Sequence, residues 1–213
     1  MKDYKEQNKP ICRTIGNNQN RKVPNSFVTN NKNSSFPHIA STLQRFPYRQ
    51  LNDNEWSIVQ QAISNALAIC ESNLEHPGEF NAQVGIAFNR RNVSQRTYIP
   101  QLTRIYNLLK TLTRNNFIID ENPAEGYCAQ VNPSNSNHII ELGTQFWTLS
   151  DTGEDSRAGT ILHEITHFTD VIGTDDHAYG DEADVQSPLG LSSTLGGNNA
   201  DTWEHALENS YDF

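Results

Sequence analysis

Apolar positions along the chain follow two periods. Trp56, Ile58, Val59, Ala62, Ile63, Ala66, Leu67 and Cys70 recur at three- and four-residue steps. That spacing predicts a long amphipathic helix capped by Asp53 or Asn54, with the stripe as core. Leu102, Ile105, Tyr106, Leu108 and Leu109 predict a second helix from about Pro100 to Thr113. Ile161, Leu162, Ile165 and Phe168 predict a third over Ala158 to Phe168, capped by Asp155 or Ser156 and stopped before Gly173. Shorter apolar runs separated by Asn, Pro and Gly read as strands: Gln83 to Phe88, Phe117 to Asp120, Tyr127 to Val131 and His138 to Leu142. Helices followed and interrupted by short strands give an α+β class, mainly helical, with a small sheet.

The first 35 residues belong to neither pattern. They hold seven basic and two acidic residues among many Asn and Ser. This composition predicts a disordered basic polar arm over 1–35, followed by a single domain over 36–213. The arm has no apolar signal-peptide core, so export by a route other than an N-terminal Sec signal is expected, from a cytoplasmic precursor. No apolar run approaches the roughly 20 residues of a membrane span. Net charge is -9 in 213 residues, and the acids concentrate late. From Ala158 to Phe213 there is no Lys or Arg, against eleven Asp and Glu. Such a surface repels phosphate, which argues against nucleic-acid binding, and attracts cationic peptides. Membrane partners are not expected, and the chain is read as a monomer. Three cysteines permit one disulfide, and Cys70 with Cys128 is the only pair inside the expected domain.

The third helix carries the chemistry. It contains His163-Glu164-Ile165-Thr166-His167. Residues four apart share a helical face, so both imidazoles can turn toward one metal ion with Glu164 beside them, the pattern of a zinc hydrolase. Catalytic zinc takes three protein ligands, so a third must follow. Asp170 lies about 10.5 Å along the axis from His163, too far to share one tetrahedron; an imidazole-orienting or surface role suits it better. A metzincin would need Gly in place of Asp170 and His in place of Gly173, and the chain has neither. Asp176 is favoured because Gly173 lets the chain turn back toward the helix. Glu204 or Glu208, from a later helix, stays open as the alternative. Asp175 and His177 read as solvated turn residues.

His163-Glu164-Ile165-Thr166-His167 with Gly173-Thr174-Asp175-Asp176-His177-Ala178-Tyr179-Gly180 resembles the aspzincins, the family of deuterolysin and peptidyl-Lys metalloendopeptidase. Asp155 to Thr160 and Asn199 to Glu204 are similar to that family's flanking sequence, and the likeness runs from about Asn52 to the C-terminus. The resemblance implies a zincin-like domain with the sheet above the active-site helix. It further implies one catalytic Zn2+ held by His163, His167 and Asp176, with Glu164 as general base and Tyr179 as an electrophilic helper to the oxyanion. Asp201 and Glu204 share a helical face. By the same resemblance they line a pocket for a lysine ammonium, which implies a metalloendopeptidase cutting protein substrates on the amino side of Lys. The alternative is a zinc-binding pseudoprotease that captures a basic protein partner without cleaving it. Secreted fungal relatives carry disulfides whose cysteines this chain lacks near Asp120 to Asn122 and at Leu142, which suits export after folding in a reducing compartment.

Overall fold

The structure is a computed structural model that describes residues 48–87, 95–121, 126–179 and 196–210. The arm over 1–35 and the domain start at 36 lie outside the described residues. Among the described residues, five helices and a four-stranded sheet form one layer against another: α1 (Asp53–Glu75), α2 (Pro77–Ala87), α3 (Gln95–Leu109), α4 (Arg157–His167), α5 (Ala200–Glu208), β1 (Tyr48–Gln50), β2 (Phe117–Asp120), β3 (Ala129–Val131) and β4 (Ile140–Leu142). The α+β class expected from the sequence is the class observed.

Helix α1 starts one residue earlier than its predicted caps. Asn52 accepts a hydrogen bond from the Glu55 N–H while the Glu55 carboxylate accepts from the Asn52 N–H, a capping box. Most of its predicted stripe is core: Val59, Ala62, Ile63, Ala66 and Cys70 are buried, while Trp56, Ile58 and Leu67 are half-buried. The second predicted helix is present but begins earlier, at Gln95, and carries Pro100 inside it.

One expectation fails. Gln83 to Phe88, read as a strand from alternating apolar residues, belongs to α2 as far as Ala87, with Phe88 outside the described residues. Pro77 opens that helix at the position where a missing N–H is harmless. Phe80, Val84 and Ala87 then recur at helical steps and are buried, with α5 and α3 alongside, so tertiary packing overrides the short period-2 signal. The Cys70–Cys128 pairing, which spacing left open, is not made: Cys70 is a free, buried thiol whose pKa burial pushes up. Cys128 is disulfide-bonded.

The sheet has the order β1-β2-β4-β3. β1, which the apolar pattern did not announce, pairs antiparallel with β2 through Arg49 opposite Ile119. β2 runs parallel to β4, and β3 closes the other edge antiparallel to β4 with Gln130 opposite Glu141. Helix α4 packs beneath this edge against β3, with α1 and α5 on its other sides. Among the described residues no helix is long and apolar enough to cross a membrane.

Candidate active site

Helix α4 is enclosed on every side, since all residues from Ala158 to His167 are buried. Ile161, Leu162 and Ile165 belong there as core. His163, Glu164, Thr166 and His167 are polar and yet at most 5% exposed. Burying such groups is unfavourable by several kcal/mol unless each finds a partner, so their contacts define what the helix is for.

Ser156 starts α4, its hydroxyl accepting from the Gly159 N–H at 3.0 Å. Beyond the helix the chain reverses at Gly173, whose φ of +75° favours glycine. The Gly173 and Thr174 N–H groups bond back to the Thr166 carbonyl at 2.9 and 3.1 Å, laying the returning loop across the last turn of α4. Asp176 is thereby brought to the two imidazoles. Its Oδ1 stands 3.1 Å from His163 Nε2 and 3.3 Å from His167 Nε2.

The two rings are oriented from behind. His163 Nδ1 lies 3.0 Å from Glu204 Oε2, and His167 Nδ1 lies 2.9 Å from the Thr174 carbonyl oxygen. A carbonyl can only accept, so His167 carries its proton on Nδ1 and leaves Nε2 with a lone pair; the Glu204 carboxylate selects the same tautomer at His163. His167 Nε2 is buried and has Asp176 Oδ1, at 3.3 Å, as its near polar neighbour. Tyr179 stacks beside His163, with ring centroids 6.2 Å apart and planes 9° from parallel.

These observations fit a zinc ion. Zinc–donor bonds of about 2.0–2.1 Å place neighbouring corners of a tetrahedron roughly 3.3 Å apart, close to the spacing of Asp176 Oδ1 from the two nitrogens. Electrostatics agree. Burial works against a charge on His163, but the hydrogen-bonded carboxylates of Asp176 and Glu204 outweigh it and hold its pKa well above the ordinary imidazole value. His167 is raised in the same way, against burial, by Asp176 and Glu164. Burial also opposes ionisation of Asp176, yet the two imidazoles keep its carboxyl well below the usual range. A pocket that attracts protons this strongly attracts a dication for the same reason.

Among the described residues, His163, Asp201 and Glu204 form a second grouping of possible metal-binding atoms. It offers one imidazole and two carboxylates, and its Glu204 already faces the Nδ1 proton. The first grouping has the donor set of a catalytic zinc. Glu204 therefore sits on the opposite ring nitrogen of His163 from Asp176. Glu208 lies further along, its Oε1 accepting from the Ser156 hydroxyl at 2.7 Å.

The comparisons with known proteins bear on the same residues. A profile of the aspzincin family, described as lysine-specific metallo-endopeptidase, matches residues 83–205. The chain belongs to the aspzincin family. A peptidyl-Lys metalloendopeptidase of Pleurotus ostreatus is 44% identical over 85 residues, which are 40% of this chain and 49% of that protein. An extracellular protease of Aeromonas hydrophila is 42% identical over 86 residues, 40% of this chain and 24% of that protein. The chain thus spans about half, or less, of the length of these relatives. The solved zinc peptidase from Grifola frondosa superposes with a TM-score of 0.61 at 26% identity, covering 75% of this chain and 97% of that one. The chain shares the fold of that zinc peptidase.

Within this aspzincin domain several sequence-level roles acquire definite partners. Asp170 is exposed and pairs with His138 Nε2 at 3.0 Å rather than with His163 or His167. Asp175 is exposed, but it forms a β-bridge with Asn199 rather than a turn, and it accepts from the Asn198 amide at 3.2 Å. Asp201 is 5% exposed and lies 3.4 Å from His205, one helical turn on. The sequence pattern assigns His205 no role, although its four-residue step from Asp201 is visible there.

The Asp201 hydrogen bond pushes the His205 pKa up to about 9 against the opposing effect of burial, with the charges of Asp201, Glu204 and Asp155 adding to it. A raised folded-state pKa stabilises the fold fully below the unfolded value of about 6.5, and the gain disappears as pH rises through about 9. The shift corresponds to on the order of 3 kcal/mol. In metal-free protein, His205→Gln is expected to lower stability in urea at pH 6 and to match the parent chain at pH 10. Equal stabilities at both pH values would show that His205 does not gain its proton from the fold.

Proposed function

We propose that the chain is a zinc-dependent metalloendopeptidase that hydrolyses peptide bonds in proteins on the amino side of lysine. The observation that carries this reading is the convergence of His163 Nε2, His167 Nε2 and Asp176 Oδ1 beside Glu164, with Tyr179 against the same imidazole. Those three atoms are the ones that would hold the ion, which when bound supplies Lewis-acid polarisation of the scissile carbonyl and acidifies a water. Glu164, one residue after His163 on α4, accepts the proton released as the carbonyl is attacked and returns it to the leaving amine. The Tyr179 hydroxyl donates a hydrogen bond to the oxyanion as charge develops there. Glu204 keeps His163 in the tautomer that leaves Nε2 available.

Lysine preference is supported by the names of the relatives and by the absence of any Lys or Arg after Arg157. Asp201 and Glu204 are the proposed partners of the substrate ammonium. Both already face a histidine, so the ammonium would share Asp201 with His205 and Glu204 with His163. Action outside the cell is part of the same proposal, in keeping with the Aeromonas relative's description as extracellular.

Mass spectrometry of a protein digest, with zinc-loaded and chelated enzyme side by side, tests the reading. Cuts before lysine that vanish on chelation are the expected result, with Asp201→Ala lowering the preference for Lys over uncharged residues by about tenfold or more. Zinc-dependent cuts at other residues would overturn the lysine assignment and leave the hydrolysis standing. An absence of cuts by protein that retains one zinc would overturn the protease reading in favour of a binding module.

A further inference from the structure

Asn199 immediately precedes α5, where an asparagine normally caps the helix by accepting from the backbone N–H two or three residues on. It does not do so here: as N-cap residue it makes no side-chain capping bond, although it is fully buried. All of its side-chain bonding goes elsewhere. Oδ1 accepts from the N–H groups of His177 at 2.7 Å and Ala178 at 3.1 Å. Nδ2 donates to the Ala178 carbonyl at 3.1 Å and to the Thr202 hydroxyl at 2.9 Å.

The amide thus behaves as one more peptide unit paired with the segment between Asp176 and Tyr179. Backbone contacts hold the other side of Asp176. The Asp175 N–H bonds the Asn198 carbonyl at 2.8 Å, and the Ala200 N–H bonds the Asp175 carbonyl at 3.0 Å. Asp176 is consequently gripped on both sides by the entry to α5, the helix whose Glu204 backs His163.

We infer that Asn199 is a positioning residue for the metal centre, fixing through the backbone of His177 and Ala178 where the Asp176 carboxylate and the Tyr179 ring come to rest. This rests on Asp176 being a zinc ligand, as proposed above. Thr202 acts with Asn199, since its hydroxyl accepts the second amide proton and thereby orients the Oδ1 toward the loop. A helix-capping role alone would predict that aspartate, an equally good cap, can replace it. The positioning role predicts otherwise, because an aspartate there sets a carboxylate oxygen against the Ala178 carbonyl and loses both donated bonds.

The test is zinc affinity by chelator competition on the full chain, together with the melting temperature of the metal-free protein. Asn199→Asp is expected to weaken zinc binding about 10- to 100-fold, the size usual for residues that orient ligands. Ile105→Val, a core truncation on α3, is expected to lower the melting temperature with no change in zinc affinity. Asp176→Asn reports on the ligand itself. If Asp176→Asn weakens zinc and Asn199→Asp leaves it within about threefold of the parent, the positioning inference is overturned and the ligand assignment stands. Unchanged affinity in Asp176→Asn overturns the ligand assignment and this inference with it. Should Asn199→Asp fail to fold, Thr202→Val takes its place: a several-fold loss of zinc affinity supports the inference, and parental affinity overturns it.

Discussion

Glu164→Gln is expected to lower kcat by about two to four orders of magnitude, the range that general acid–base catalysis contributes, while one zinc per chain remains bound. The substitution keeps the volume and one hydrogen-bonding oxygen at a position that is 0% exposed, so the packing of α4 has little reason to change. What disappears is the carboxylate proposed to take up a proton. Its negative charge also helps raise the pKa of His167, so zinc affinity should fall slightly, by far less than the rate. Steady-state kinetics beside metal analysis separates the two effects. A variant that keeps zinc and turns over within tenfold of the parent would place the base elsewhere and leave Glu164 a structural acid.

His167→Ala attacks the site from the other direction. A structural zinc site gathers roughly 10–16 kcal/mol from four donors, so removing one donor is expected to weaken binding by roughly 100- to 1,000-fold. At trace zinc, activity then falls to background, and excess zinc restores at most a small part of it. The fold should survive. His167 is linked to its surroundings by the Thr174 carbonyl at Nδ1 and shares Asp176 with His163, which remains to pair that carboxylate; removing His163 instead would also strip Glu204 of its imidazole. Isothermal titration of the metal-free variant is the direct measurement. Parental zinc affinity in His167→Ala would exclude it as a ligand and favour the grouping of His163, Asp201 and Glu204.

Elements with a long, regular pattern are legible in the amino-acid sequence alone. The α1 stripe supplies its buried face, and β2 spans the predicted Phe117 to Asp120. Helix α4 starts from Ser156, one of its two predicted caps, and ends one residue short of Phe168. Short segments are less legible. Gln83 to Phe88 alternates like a strand, and six residues of alternation weigh little against Phe80, Val84 and Ala87 meeting other helices from one face. β1 has only three residues and owes its conformation to the partner strand β2. The cysteine pairing cannot be read from spacing at all, because a disulfide depends on which side chains meet.

For the site, the four-residue step between His163 and His167, the adjacent Glu164 and the flexible Gly173 are written in the chain, because helix periodicity and glycine's access to positive φ are local properties. The proposed choice of Asp176 over Glu204 as third ligand does not rest on local sequence. It depends on which nitrogen of His163 each carboxylate approaches, and that is set by the loop returning over α4 and by the packing of α5 against it. Asn199 shows the same division. Its identity is that of a common helix-capping residue, and it does stand immediately before α5. Only the tertiary structure turns its amide away from the helix and toward the backbone of His177 and Ala178, because buried N–H groups must find acceptors and the returning loop brings two of them to its Oδ1.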